Sequence, residues 1–99
     1  MDITQSVDGV PIRLTEERWF HIVENHDEVA GYYDEVLDTV ANPEVVIPGY
    51  GGSLIAVRNY GKSRNLCVIY RQLSGSDGFI ITAYFSRRID RRKVIWSRS

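Results

Sequence analysis

Residues 53–85, SLIAVRNYGKSRNLCVIYRQLSGSDGFIITAYF, decide the fold. Three runs, 53–60, 66–73 and 79–85, are rich in β-branched and aromatic residues. The pieces between them, GKSRN and SGSDG, consist of residues that turn a chain. The pattern predicts three consecutive antiparallel strands, a meander. Residues 44–47 predict a fourth strand before it, and residues 93–96 a further strand or a closing tail. Side chains alternate between the two faces of a strand. In 79–85 one apolar row is Phe79, Ile81, Ala83 and Phe85, and the other row is Ile80, Thr82, Tyr84 and then Ser86. In 53–60, Ile55 and Val57 stand opposite Ala56, Arg58 and Tyr60. In 66–73, Cys67 and Ile69 stand opposite Val68, Tyr70 and Gln72, with both rows apolar.

The residues before the meander carry a helical period instead. Thr15 has the character of an N-cap, and Glu16 and Glu17 fall in the first turn, where the helix dipole favours acids. Arg18 occupies the place of a capping-box glutamate, so the box is absent. Trp19, Ile22, Val23 and His26 follow at i, i+3, i+4 and i+7, the spacing of one helix face. A second helix after Gly31 repeats that spacing with Tyr33, Val36, Leu37 and Val40, with Asp34, Glu35 and Asp38 on its wet side. It stops at Asn42-Pro43, because proline pushes the preceding residue out of the α region. At the start, residues 3–7 and 10–14 flank Asp8-Gly9, which predicts a hairpin with a tight I′ turn. Pro11 lacks a backbone donor, so the second of these strands is expected at an edge or irregular. The chain is therefore expected to be a single α+β domain spanning residues 1–99. An N-terminal hairpin and two helices pack on one face of a three- to five-stranded antiparallel meander sheet.

Composition bounds the function. The 99 residues are 43% hydrophobic and 25% charged, too apolar for a disordered tail, and eight Gly and three Pro are too few for collagen. No apolar run reaches the roughly 18 residues needed to cross a bilayer. The opening MDITQSVDG lacks the basic flank and apolar core of a signal peptide. Cys67 is the only cysteine, which excludes an internal disulfide and a cysteine metal cluster and points to a reducing cytoplasm. The net charge of −1 hides a split. Residues 1–49 hold two basic and eleven acidic groups, net −9, whereas residues 50–99 hold ten basic and two acidic, net +8. From Ser86 onward there are six basic groups and one acidic group. Halves on separate faces would give a positive surface that attracts a polyanion. Halves that pair with each other would not.

With the helices on one side, the bare sheet face is expected to carry Arg58, Tyr60, Tyr70, Thr82 and Tyr84. That is a concave, aromatic and basic surface of the kind that stacks bases and pairs phosphates. Arg58, Lys62, Arg64 and Arg71 lie on or near the first strand pair, where guanidinium forks suit phosphate oxygens, although cations in a hairpin turn also serve solubility alone. His21 and His26 are the only histidines. Five residues is about 500° of helix, so they are expected on different sides, a poor arrangement for one metal ion, and metal catalysis is set aside. His26 is read either as a core or capping histidine or as a general acid or base. Thr82 is a cross-strand filler or a hydroxyl for the site, and Tyr84 shares its face. Cys67 is read as a small buried hydrophobe. Gly49, Gly51 and Gly52 do not fit a phosphate-cradling loop and are read as a mobile connection.

These residues resemble a known group. The helix RWFHIVENH, the acidic helix ending in Asn42-Pro43, the strand ending in Asn59-Tyr60-Gly61-Lys62, the strand LCVIYRQL and the final FIITAYFSRRI, with Ile81-Thr82-Ala83-Tyr84 at its centre, look like the barnase–EndoU–colicin–RelE superfamily of small metal-independent ribonucleases, in its phage and bacterial toxin branch. The resemblance spans roughly residues 15–96. It implies an RNA endonuclease without cofactor that uses the 2′-hydroxyl as nucleophile and leaves a cyclic phosphate, often as a toxin held by a cognate antitoxin. It implies catalytic residues at His26, less well at His21, at Arg58 or Lys62, and at Thr82 with Tyr84 beside it, of which His26, Arg58, Thr82 and Tyr84 are taken as the catalytic set. His21, Tyr60, Lys62, Arg64, Tyr70 and Arg71 would then contact the RNA. The chain departs from the barnase kind in having no late histidine. A non-catalytic nucleic-acid-binding module and a protein-interaction domain remain the alternatives.

Overall fold

The computed structural model describes residues 1–98. In chain order the elements are β1 (Asp2–Gln5), β2 (Pro11–Leu14), α1 (Glu16–Asn25), α2 (Tyr33–Ala41), β3 (Val45–Pro48), β4 (Leu54–Asn59), β5 (Asn65–Ser74), β6 (Asp77–Ser86) and β7 (Trp96–Ser97). Short 3-10 turns lie at Asp27–Val29, Tyr50–Gly52 and Arg91–Lys93. The class is α+β, but the sheet is larger than three to five strands. Among the described residues it has seven, in the order β1-β2-β6-β5-β4-β3-β7. β3 to β6 form the antiparallel meander, and β7 pairs with β3. The N-terminal hairpin joins the same sheet through β2, which runs parallel to β6, so the sheet is mixed. An isolated two-stranded hairpin cannot bury its apolar side. Here Ile12 and Leu14 become fully buried by joining the main core.

The β2–β6 pairing consists of Arg13 opposite Phe79 and then stops, because the chain turns into α1. From Ile80 onward that edge of β6 has no strand beside it among the described residues. Pro11 lies opposite Gln5 on β1 and outside the pairing with β6, so an interior strand tolerates it. The hairpin turn is not type I′. The Gly9 amide donates to Ser6 O at 2.8 Å and the Ser6 amide to Val10 O at 2.9 Å, while Gly9 alone takes positive φ, 78°. That is a three-residue loop closed by a left-handed glycine. The Tyr50–Gly52 turn is likewise a bonded closure of the β3–β4 hairpin rather than a loose connection. Gly51 and Gly52 have φ of 64° and 83°, open to glycine without strain, and the Gly49 amide donates to Ser53 O at 2.8 Å.

Thr15 caps α1 as expected, its Oγ1 accepting from the Arg18 amide at 3.1 Å. Ile22, Val36 and Val40 of the helices pack on Ala56, Leu66, Val68, Tyr70, Ile80 and Ala83 of the sheet. The face expected to be bare is therefore inverted for β4 and β5. The rows of Ala56 and Tyr70 turn toward the helices, with Tyr60 packed against that core. The reason is that both faces are covered. Ile89 and Val94 of the tail pack on Val45, Val57 and Cys67 behind the sheet, so apolar character does not distinguish the rows. In β6 neither expected row survives intact. Ile69 stands opposite Thr82 and Tyr70 opposite Ile80, which leaves Ile81 as the extra residue of a β-bulge. Ile80, Ala83 and Phe85 face the helices; Tyr84 packs behind, beside Cys67.

Tyr70 is fully buried, and among the described residues its hydroxyl has no hydrogen-bond partner. Burial, with Asp8 nearby, pushes its pKa up to about 12. A buried unsatisfied hydroxyl costs about 1–3 kcal/mol. Tyr70→Phe keeps the ring and is expected to raise stability by about 1 kcal/mol or more, read as a higher urea midpoint; a lower midpoint contradicts it.

Candidate functional site

Along α1, Arg18, His21, Ile22 and Asn25 fall at i, i+3, i+4 and i+7 and so share a face. That face, with His26 and the bulge residues Ile81 and Thr82, lines an open cleft of about 430 Å³. The cleft lies where β6 lacks a strand neighbour. His26 is not on the helical path: as C-cap it has φ −138° and ψ 72°, and its amide donates to Ile22 O at 2.8 Å. The rotation expected from five helical residues therefore does not apply, and both imidazoles line one cleft. Their side chains are 54% and 37% exposed for His21 and His26.

Each imidazole has a carboxylate beside Nδ1. Glu24 Oε1 is 3.5 Å from His21 Nδ1, and Glu28 Oε2 is 3.7 Å from His26 Nδ1. Each is an ion-pair distance for a protonated imidazole, and neither contact is a hydrogen bond. The His26 ring centroid lies 5.8 Å from that of Tyr84, with the planes 38° apart. Tyr84 belongs to the row behind the sheet, so the end of α1 reaches round the open edge of β6. Burial first, and Cys67 second, raise the Tyr84 pKa above its ordinary value. Arg18 supplies a guanidinium, Asn25 an amide whose Nδ2 donates to His21 O at 2.9 Å, and Thr82 a hydroxyl. Two imidazoles, a guanidinium, an amide and a hydroxyl thus line one cleft.

Of the sequence candidates, the cleft gathers His21, His26 and Thr82, with Tyr84 against His26. Arg58 lies elsewhere. Its Nη1 donates to Asn42 O at 2.8 Å, Asp38 Oδ2 is 3.6 Å away, and its guanidinium sits 5.9 Å above the Tyr60 ring. It therefore caps the C-terminus of α2, where a cation complements the dipole, and holds Tyr60 with it. Arg64 stacks on Phe85 at 4.2 Å and donates to the Tyr32 hydroxyl at 3.2 Å, bracing the β4–β5 turn. Lys62 is exposed in that turn, and Arg71 extends over Gly51 and Gly52. Tyr70 is sealed in the core and offers no surface to a ligand. Sequence reasoning missed Arg18 and Asn25. Their signal was the helical spacing one residue ahead of the apolar stripe, with His21 already in it.

Cys67 is buried, and burial pushes its thiol up to about 11, so it stays protonated and packs as a hydrophobe. The charge halves meet at Arg58 and Asp38. Arg87, Arg88, Arg91 and Lys93 are exposed, and among the described residues none is in an ion pair. Among the described residues no three His, Cys, Asp or Glu side chains converge to hold a metal ion, and no helix is long and apolar enough to cross a membrane. Comparison of the chain with protein-family models, curated proteins and solved structures finds no match.

Proposed function

We propose that this chain is a metal-independent RNA endonuclease working at the cleft between α1 and β6. The observation that carries the reading is the meeting of His21, His26, Arg18 and Thr82 in one open cleft. One imidazole takes the proton of a ribose 2′-hydroxyl, and O2′ bonds to the adjacent phosphorus. The bond from phosphorus to O5′ breaks, and the second imidazole gives O5′ its proton. The products are a 2′,3′-cyclic phosphate and a free 5′-hydroxyl, with no co-reactant. Arg18 offsets the charge gathering on the phosphoryl oxygens, and the Thr82 hydroxyl adds a donor. Arg18 takes the part assigned to Arg58 by the resemblance to the barnase–EndoU–colicin–RelE superfamily. That resemblance also supports a cytoplasmic toxin of a toxin–antitoxin pair, or a phage-derived nuclease. An acidic antitoxin would suit the exposed cations of the tail.

A second reading, a non-catalytic nucleic-acid-binding module, is favoured by Arg87, Arg88, Arg91 and Lys93, which are exposed and outside the observed ion pairs. The test is incubation of the purified protein with single-stranded RNA in EDTA. The ribonuclease reading expects fragments ending in cyclic phosphate. Intact RNA held tightly, with affinity falling steeply with salt, selects the binding module. Cutting that begins only when magnesium is added overturns the mechanism.

A further inference from the structure

We infer that the RNA is single-stranded and is gripped at a second point, a cleft of arginine and serine side chains at the far end of β6. This inference rests on the ribonuclease reading of the α1–β6 cleft. The second cleft, about 470 Å³, is lined by Ser63, Ser86, Arg87 and Arg88. It presents two guanidiniums and the Ser63 hydroxyl as donors for phosphate oxygens, and no carboxylate lines it among the described residues. Its backbone is hydrogen-bonded, while among the described residues its guanidiniums are in no ion pair. The Asn65 Nδ2 donates to Arg87 O at 3.3 Å, and the Ser86 Oγ donates to Arg88 O at 2.6 Å. Arg87 and Arg88 are exposed.

β6 joins the two clefts. Thr82, Tyr84 and Ser86 alternate along it as one row. Thr82 lines the imidazole cleft, the Tyr84 ring lies against His26, and Ser86 lines the arginine cleft. Four residues of strand separate Thr82 from Ser86 by about 13 Å, farther than one phosphodiester reaches. A ligand filling both clefts is therefore an oligonucleotide with further phosphates on one side of the scissile bond. Tyr84, half-buried between them, offers a ring to a base, and a base stacks on it only when its face is free of neighbouring bases, as a single strand allows.

The experiment compares wild type with the double variant Arg87→Gln, Arg88→Gln on two substrates, a dinucleoside monophosphate and a short single-stranded oligoribonucleotide. The variant should cut the dinucleotide as wild type does, while KM for the oligonucleotide rises about tenfold or more, as loss of two charge-assisted contacts implies. With a 2′-O-methylated oligonucleotide, which cannot be cut, the slope of log affinity against log salt should fall by about 1.4, at about 0.7 per phosphate contact on a single strand. Arg88→Gln alone should give half that change, and Arg87→Lys with Arg88→Lys should restore the slope. Cleavage with unchanged KM and slope in the double variant overturns this inference and leaves the imidazole cleft standing. Loss of slope in a protein whose wild type cuts neither substrate leaves the arginine cleft standing and overturns the ribonuclease reading.

Discussion

His26→Ala is expected to slow RNA cleavage in EDTA by about 10²- to 10⁴-fold, the usual worth of one acid–base group. The variant should still fold. The contribution of His26 to the helix end is its backbone amide, bonded to Ile22 O at 2.8 Å, and alanine keeps that bond. Its ring is partly exposed, with one carboxylate and one phenol ring beside it. Initial rates on a fixed oligonucleotide, with the urea midpoint measured alongside, separate chemistry from stability. A rate equal to wild type removes His26 from the reaction, and a rate loss matched by unfolding makes it structural.

The largest effect on stability should come from the hairpin that the sheet recruits. Ile12→Ala is expected to lower stability by about 2–5 kcal/mol, the range for truncating a buried aliphatic side chain. A domain of this size has about 5–15 kcal/mol in all, so the urea midpoint should drop by a large fraction. Ile12 is fully buried, and its Cδ1 stands 2.5 Å from where a Cβ on Gly78 would be. The side chain thus fills the hollow that glycine leaves in β6. Ile3, 59% exposed on the neighbouring strand, is the control: Ile3→Ala should move stability by about 0.5 kcal/mol or less. Equal effects at the two positions would mean that the hairpin is not anchored through β2.

The local signals in the chain were legible because each had a local cause. The Thr15 cap, the stripe through Val36 and Val40, the stop at Asn42-Pro43 and the turns at GKSRN and SGSDG all appear where neighbouring residues demand them. What sequence could not supply was long-range. The tail covers the back of the sheet with Ile89 and Val94, so Val57 and Cys67 are as apolar as the row facing the helices. The bulge at Ile81 lies in Ile80-Ile81-Thr82, three consecutive β-branched residues that give alternation nothing to mark. The site was half legible for the same reason. His26 and Thr82 were found as chemistry-bearing types, but Arg58 was placed by strand parity, and its partner is the end of α2. Arg18 was read for its part in capping rather than for the face it shares with His21.

The single pairing of Arg13 with Phe79 has a consequence for how such a molecule can change. A hairpin two residues longer would zip onto β6 past Ile80 and close the gap into which α1 leans its imidazoles. The cleft is, in this sense, a missing piece of sheet. Insertions and deletions near Thr15 would therefore change access to it.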